Sequence, residues 1–136
     1  IRLLARREHS RAEISRKLAK LGSPEEIDQV LTDLETSGLL SDARFADEWL
    51  RSHGARHGAV RLRQALRERG VAAEAIEAQM AAADLPPELE RARQVWARKF
   101  DAAPADAREW ARQARFLQAR GFSSEVIRRL LREPAE

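Results

Sequence analysis

The stretch Leu18-Ala19-Lys20-Leu21-Gly22-Ser23-Pro24-Glu25-Glu26-Ile27 decides how the chain is read. Leu18 belongs to an apolar stripe, and Gly22 is a residue that ends a helix in left-handed backbone at little cost. Ser23 is a helix cap, Pro24 suits a first helical turn, and Glu25 and Glu26 place negative charge at the positive helix end. The segment predicts one helix ending, a tight turn, and another helix beginning. The same order returns at Leu66, Gly70 and Ile76, and again at Leu117, Gly121 and Ile127. The glycines lie 48 and 51 residues apart, and Trp49 and Trp96 occupy matching places. A period of this length fits a three-helix unit better than the shorter two-helix repeats.

Working outward, Ser10 with Glu13 reads as a capping box, Ser41-Asp42 opens a further helix, and Pro86-Pro87 opens a later one. Gly38, Gly70 and Gly121 fall, like Gly22, where helices should stop. The pattern predicts helices over 2–8, 10–21, 24–37, 42–53, 58–69, 72–83, 87–100, 104–120 and 123–132. Ile14, Leu18 and Leu21 form one expected apolar stripe, and Ile27, Val30, Leu31 and Leu34 another. The expected architecture is all-α, with three tandem three-helix repeats at 1–40, 41–85 and 86–136 in an elongated array. The first unit is short at its front, so its opening helix is expected to be truncated.

Composition points the same way. The 136 residues include 25 Ala and 16 Leu but only 12 Val, Ile and Thr together, and no Tyr. Helices favour the abundant types and sheets the scarce ones. With no Cys there are no disulfides, thiol nucleophiles or thiolate metal sites. No apolar run is long enough to span a bilayer and no secretory leader is visible, so a cytoplasmic protein without a membrane partner is expected.

The net charge of +3 hides a segregation. Residues 1–22 carry net +5, 23–43 net −6, 44–70 net +4, 71–90 net −5 and 91–136 net +5. Both acidic blocks contain no Lys or Arg. Blocks this clean point to a polyanion or an acidic protein surface as partner. The candidate contact residues are Arg6, Arg7, Arg11 and Lys17 in the first basic block. Arg56, Arg61, Arg63, Arg67 and Arg69 represent the second, and Arg112, Arg115 and Arg120 the third. Arg108, Arg112 and Arg115 should share a helix face.

Other chemistry finds little support. There is no phosphate loop and no nucleophile elbow. His53 and His57 are four apart, but Gly54 and Gly58 interrupt the helix and no third ligand is near, so no metal is expected. His9 should pack at a helix junction. Phe45 with Trp49, and Trp96 with Phe100, read as core pairs. Glu25 and Glu26 are explained by their first-turn position. No catalytic residue and no cofactor is expected, and the chain is read as a non-enzyme. A helix-turn-helix reader is disfavoured, because the last helices of the first two units are acidic and phosphates would repel them. Alternating basic and acidic faces suit a mixed partner of protein and nucleic acid. A stand-alone helical nucleic-acid binder and a protein-only adaptor are the alternatives.

Several of these residues resemble a known family. Arg7-Glu8-His9-Ser10-Arg11, with Glu13-Ile14 and Lys17-Leu18, is similar to the first-repeat signature of the RecX regulatory proteins. Gly38-Leu39-Leu40-Ser41-Asp42-Ala43-Arg44-Phe45-Ala46 resembles the opening of their second repeat, continued by Gly58, Arg61, Leu62, Leu66, Arg69, Gly70 and Val71. Arg115-Phe116-Leu117 with Arg120-Gly121-Phe122 resembles their third-repeat motif. Departures are mild: His57 stands where an aromatic often precedes the second-repeat glycine. A monomer is expected, and the resemblance implies a cytoplasmic bacterial modulator of RecA that binds the RecA filament on single-stranded DNA. It would have weak direct DNA binding and inhibit ATP hydrolysis and strand exchange in recombination, DNA repair and the SOS response.

Overall fold

The computed structural model describes Leu4 and residues 6–132. Among them are eight α-helices and one 3-10 turn, with no strand. The helices are α1 (Arg11–Leu18), α2 (Pro24–Thr36), α3 (Asp42–His53), α4 (Ala59–Glu68), α5 (Ala73–Ala82), α6 (Glu88–Lys99), α7 (Ala107–Ala119) and α8 (Ser124–Leu131). The 3-10 turn, Gly54–Arg56, joins α3 to α4. Of the helix expected over 2–8, Leu4 and Arg6 are helical, while Ile1, Arg2, Leu3 and Ala5 lie outside the described residues. Residue 133 onward lies outside them too.

Local chemistry sets the helix starts. Ser10 caps α1 and Ser23 caps α2, each accepting from the backbone N–H three residues on while Glu13 or Glu26 bonds back to the cap. The Ser41 hydroxyl accepts from the Arg44 N–H at 3.1 Å at the start of α3. Asp106 caps α7 and Ser123 caps α8.

Three expectations need correction. Gly22 does not adopt left-handed backbone, whereas Gly38, Gly70 and Gly121 do, with φ of 82°, 84° and 87°. Helix α1 stops at Leu18, four residues before Gly22, and two turn-type bonds, Ala19 N–H to Arg16 O and Leu21 N–H to Leu18 O, close the segment without one. Leu21 therefore leaves the apolar stripe and is 78% exposed, and Val30 is 47% exposed because it falls beside the buried line through Ile27, Leu31 and Leu34.

The chain forms two compact units. One runs up to Leu50 and adds Ala65–Ala83; the other combines Arg51–Gln64 with the chain from Asp84 onward. Helix α4 contributes its first half to the second unit and its last turn to the first. In the first unit Ile14, Leu31 and Leu40 are buried together, flanked by Leu18, Ile27 and Leu34. In the second, Ala92, Val95, Leu117, Phe122, Ile127 and Leu131 form the core, with Trp96, Trp110 and Phe116 packed on it.

Each unit contains the same joint. In the first, the Ser10 hydroxyl donates to the Arg69 carbonyl at 2.7 Å, and a Cβ placed on Gly70 would lie 2.3 Å from that of Ala12. In the second, the Gly58 N–H donates to the Arg120 carbonyl at 2.9 Å, and a Cβ on Gly121 would lie 2.2 Å from that of Arg61. Ser10 and Gly58 both stand twelve residues before their own repeat glycine, so the sequence repeat is also a repeat of joints.

Candidate functional site

The basic residues of the first unit are largely occupied by the fold. Arg7 grips Glu13 through Nη1 and Nη2, at 3.3 and 3.0 Å. Lys17 donates to His9 Nε2 at 3.2 Å, so the buried imidazole accepts there and donates through Nδ1 to the Arg7 carbonyl at 3.0 Å. Arg11 reaches the acidic helix α2. Its Nη2 lies 2.6 Å from Asp28 Oδ1, and its Nη1 pairs with Glu35. Partial burial works against its charge, but Asp28 and Glu35 outweigh it and raise the guanidinium above its ordinary value. Arg69 lies 5.1 Å from the Trp49 ring centroid and donates to the Ala65 carbonyl at 2.9 Å. Arg6 and Arg67 are exposed. Basic and acidic blocks adjacent in sequence thus neutralise one another within this unit at Arg11.

The second unit gathers its cations differently. The crossing of Gly58 over Gly121 brings Arg56, His57 and Arg61 beside Arg120. Arg61 donates through Nη1 to the Ala119 carbonyl at 3.0 Å. Arg120 stacks over the Phe116 ring at 4.8 Å, with Lys99 5.7 Å from the same ring. All three arginines are exposed. His57 reports the field they make. Burial pushes its imidazole below the ordinary value, the His53 carbonyl bonded to Nδ1 opposes this, and Arg61, Arg120 and Arg56 push it down further.

Along α7, Arg115 and Arg108 are exposed, whereas Arg112 donates twice to Glu109, at 3.0 and 2.7 Å, and stacks over Phe100 at 5.1 Å. Bonds from Arg112 and Gln113 hold the Glu109 carboxyl at about 2. Arg63 is half-buried and engaged. The structure therefore brings Arg56, Arg61 and Arg120 into one cluster, leaves Arg6, Arg67 and Arg115 as separate exposed cations, and ties Arg7, Arg11, Lys17, Arg69 and Arg112 to neighbours.

The histidine pair is joined through the His53 backbone carbonyl. Among the described residues no three His, Asp or Glu side chains gather as a metal set. No helix in them is long and apolar enough to cross a membrane. Phe45 is buried and Trp49 half-buried, and Trp96 lies 6.3 Å from Phe100, so the aromatic pairs belong to the packing.

Arg91 carries a role that sequence reading missed. It is only 6% exposed and donates to the Pro86 carbonyl at 2.7 Å and the His57 carbonyl at 3.2 Å. It thereby ties the segment entering α6 to the one entering α4. Burial lowers its guanidinium from the ordinary value, and Glu88 opposes that. Its place four residues before Val95, on the buried side of α6, was a usable signal.

These observations define an all-α protein of tandem three-helix domains carrying arginine clusters. Family models for the first, second and third three-helix domains of RecX match residues 1–34, 41–80 and 87–131. The chain belongs to the RecX family. It is 49% identical to the regulatory protein RecX of Leptothrix cholodnii, over 97% of this chain and 84% of that protein. It is 47% identical to the namesake of Halorhodospira halophila, over 94% of this chain and 81% of that one. The crystal structure of RecX from Lactobacillus salivarius shares the fold, with a TM-score of 0.78 at 17% identity over 95% of this chain and 87% of that one.

Proposed function

We propose that this protein binds the RecA filament on single-stranded DNA and restrains its ATP hydrolysis and strand exchange, acting in recombination and repair. Family membership across the chain carries the reading: its relatives bear the name of regulatory proteins, and the family signature lies on the residues quoted above. Exposed Arg6, Arg56, Arg61, Arg67, Arg115 and Arg120 supply cations for DNA phosphate or acidic filament surface. In this reading the repeats 1–40, 41–85 and 86–136 engage neighbouring filament subunits and hinder their rearrangement. The protein acts as a cytoplasmic monomer without cofactor or catalysis of its own.

The test is ATP hydrolysis by RecA on single-stranded DNA with this protein in stoichiometric excess. Hydrolysis should fall, and the Arg67→Glu, Arg115→Glu double variant should lose most of the effect while keeping its helical circular dichroism. Hydrolysis unchanged by the unaltered protein would refute the reading. Equal affinity for naked DNA and for the filament would instead favour a stand-alone nucleic-acid binder.

A further inference from the structure

We propose that Arg56, Arg61 and Arg120 form a clamp for one phosphodiester of a single-stranded nucleic acid, with the His57 imidazole beside it. This rests on the nucleic-acid contact in the reading above and assigns it a place.

The clamp is a product of backbone crossing. A Cβ on Gly58 would lie 2.4 Å from the Gly121 carbonyl oxygen, so the two strands of chain touch, and their flanking side chains share one locality. Two of the three guanidiniums are already ordered, Arg61 by the Ala119 carbonyl and Arg120 by the Phe116 ring. A guanidinium has five N–H donors, and a single bond to a carbonyl leaves Arg61 with others to offer. Pre-ordering of this kind lowers the entropy lost on binding.

The ligand would be held by side chains, because the first two amides of α4 are already engaged. Ala59 N–H donates to Glu88 Oε2 at 3.0 Å and Val60 N–H to the Gly121 carbonyl at 3.2 Å. Like charges crowded around a half-buried imidazole repel each other, and an anion relieves that repulsion. A nucleotide suits the place better than an acidic side chain. Arg120 lies over the half-buried Phe116 ring, which Lys99 and Phe100 also meet, so a base would stack on the guanidinium and not on the ring, and a strand brings a charge and a base together.

Occupancy should be linked to the proton on His57. The groups that bear on it come from several elements: His53 at the end of α3, Arg56 in the turn, Arg61 from α4, and Arg120 just beyond α7. From α6, Arg91 donates to the His57 carbonyl, and Glu88 lies 3.9 Å from Arg91. An anion among the three arginines favours the imidazolium, so binding raises the His57 titration midpoint. By reciprocity, protonation tightens binding.

The experiment is a proton–carbon NMR titration of the His57 ring in the full chain, with and without saturating oligothymidylate. The midpoint should start below that of an ordinary histidine and rise by about half a pH unit. That displacement corresponds to roughly threefold tighter oligonucleotide binding below the midpoint than above it. Arg120→Gln should abolish most of the rise, and Arg56→Gln, in an exposed turn, gives the same test if the first variant disturbs the Gly58–Gly121 amide signals. His57→Gln should remove the pH-dependent part of the affinity. A midpoint unmoved by saturating oligothymidylate overturns the clamp, as does an equal rise with polyglutamate, which would assign the cluster to an acidic protein. If inhibition of RecA persists while His57 stays silent, the clamp fails and the filament reading stands. A responsive His57 with no inhibition gives the reverse.

Discussion

The joint at Ser10 and the joint at Gly58 hold equivalent places in the repeat, yet they are sealed by different atoms. In the first unit a side chain makes the bond: the Ser10 hydroxyl caps α1 and also donates to the Arg69 carbonyl. In the second there is no side chain, and the Gly58 amide itself donates to the Arg120 carbonyl. The capping duty that Ser10 performs for α1 passes at α4 to Glu88, which reaches across from α6 to the Ala59 N–H. Removing the side chain lets the backbones touch and draws Arg56, Arg61 and Arg120 together. In both joints a side chain packs on the glycine, Ala12 on Gly70 and Arg61 on Gly121. One joint is thus open to deletion of a hydroxyl, and the other only to insertion of a methyl.

The largest effect should come from Gly121→Ala. Its φ of 87° is costly for a residue with a Cβ, by about 1–2 kcal/mol. The new methyl would also lie 2.6 Å from the Arg61 backbone nitrogen, which cannot swing aside as a side-chain end could. Overpacking of this kind adds about 1–3 kcal/mol. A loss of roughly 3 kcal/mol should lower the thermal midpoint by about 10 °C or more, read by circular dichroism. A change of a degree or two would show that the second joint yields more easily than its geometry implies.

Ser10→Ala should come next and would separate the two duties of that hydroxyl. Losing the cap costs about 1 kcal/mol. Leaving the Arg69 carbonyl without its donor adds about 1 kcal/mol or more. Urea unfolding should show a loss of about 2 kcal/mol, twice that of Ser23→Ala, where the serine caps α2 and makes no joint. Equal losses at the two serines would mean that the Ser10–Arg69 bond adds nothing.

What could be read in advance divides along the same line. Gly38, Gly70 and Gly121, the capping serines and the helix order are written in residue types whose local preferences survive in the fold. Gly22 misled because a turn can close through ordinary helical bonds when the helix stops early, and Leu21 and Val30 misled because one residue of drift moves a side chain off the buried face. The cation cluster was legible only as a list of arginines. Whether an arginine faces solvent, as Arg67 does, pairs with an acidic helix, as Arg11 does, or is buried, as Arg91 is, depends on contacts far away in sequence. The Gly58–Gly121 crossing that selects three of them spans 63 residues, and nothing local announces it.

The smallest effect concerns acid, and it probes the first joint without touching its hydroxyl. Burial tends to raise the Glu13 carboxyl, but bonds from Arg7 and from the Ser10 amide outweigh burial and hold it below its ordinary value. A carboxylate lowered on folding contributes stability that is present above its unfolded value, near 4.5, and lost as pH falls toward the folded one. Replacing Glu13 by Gln keeps a group able to complete the capping box but removes the charge that Arg7 holds. The parent protein should therefore be the more stable near pH 7, by about 1 kcal/mol or less. The two should converge as pH falls from 5 to 3. Urea unfolding of both proteins across that range measures the gap. If it stays constant, the Arg7 pair contributes nothing through its charge, and the first joint depends on Ser10 alone.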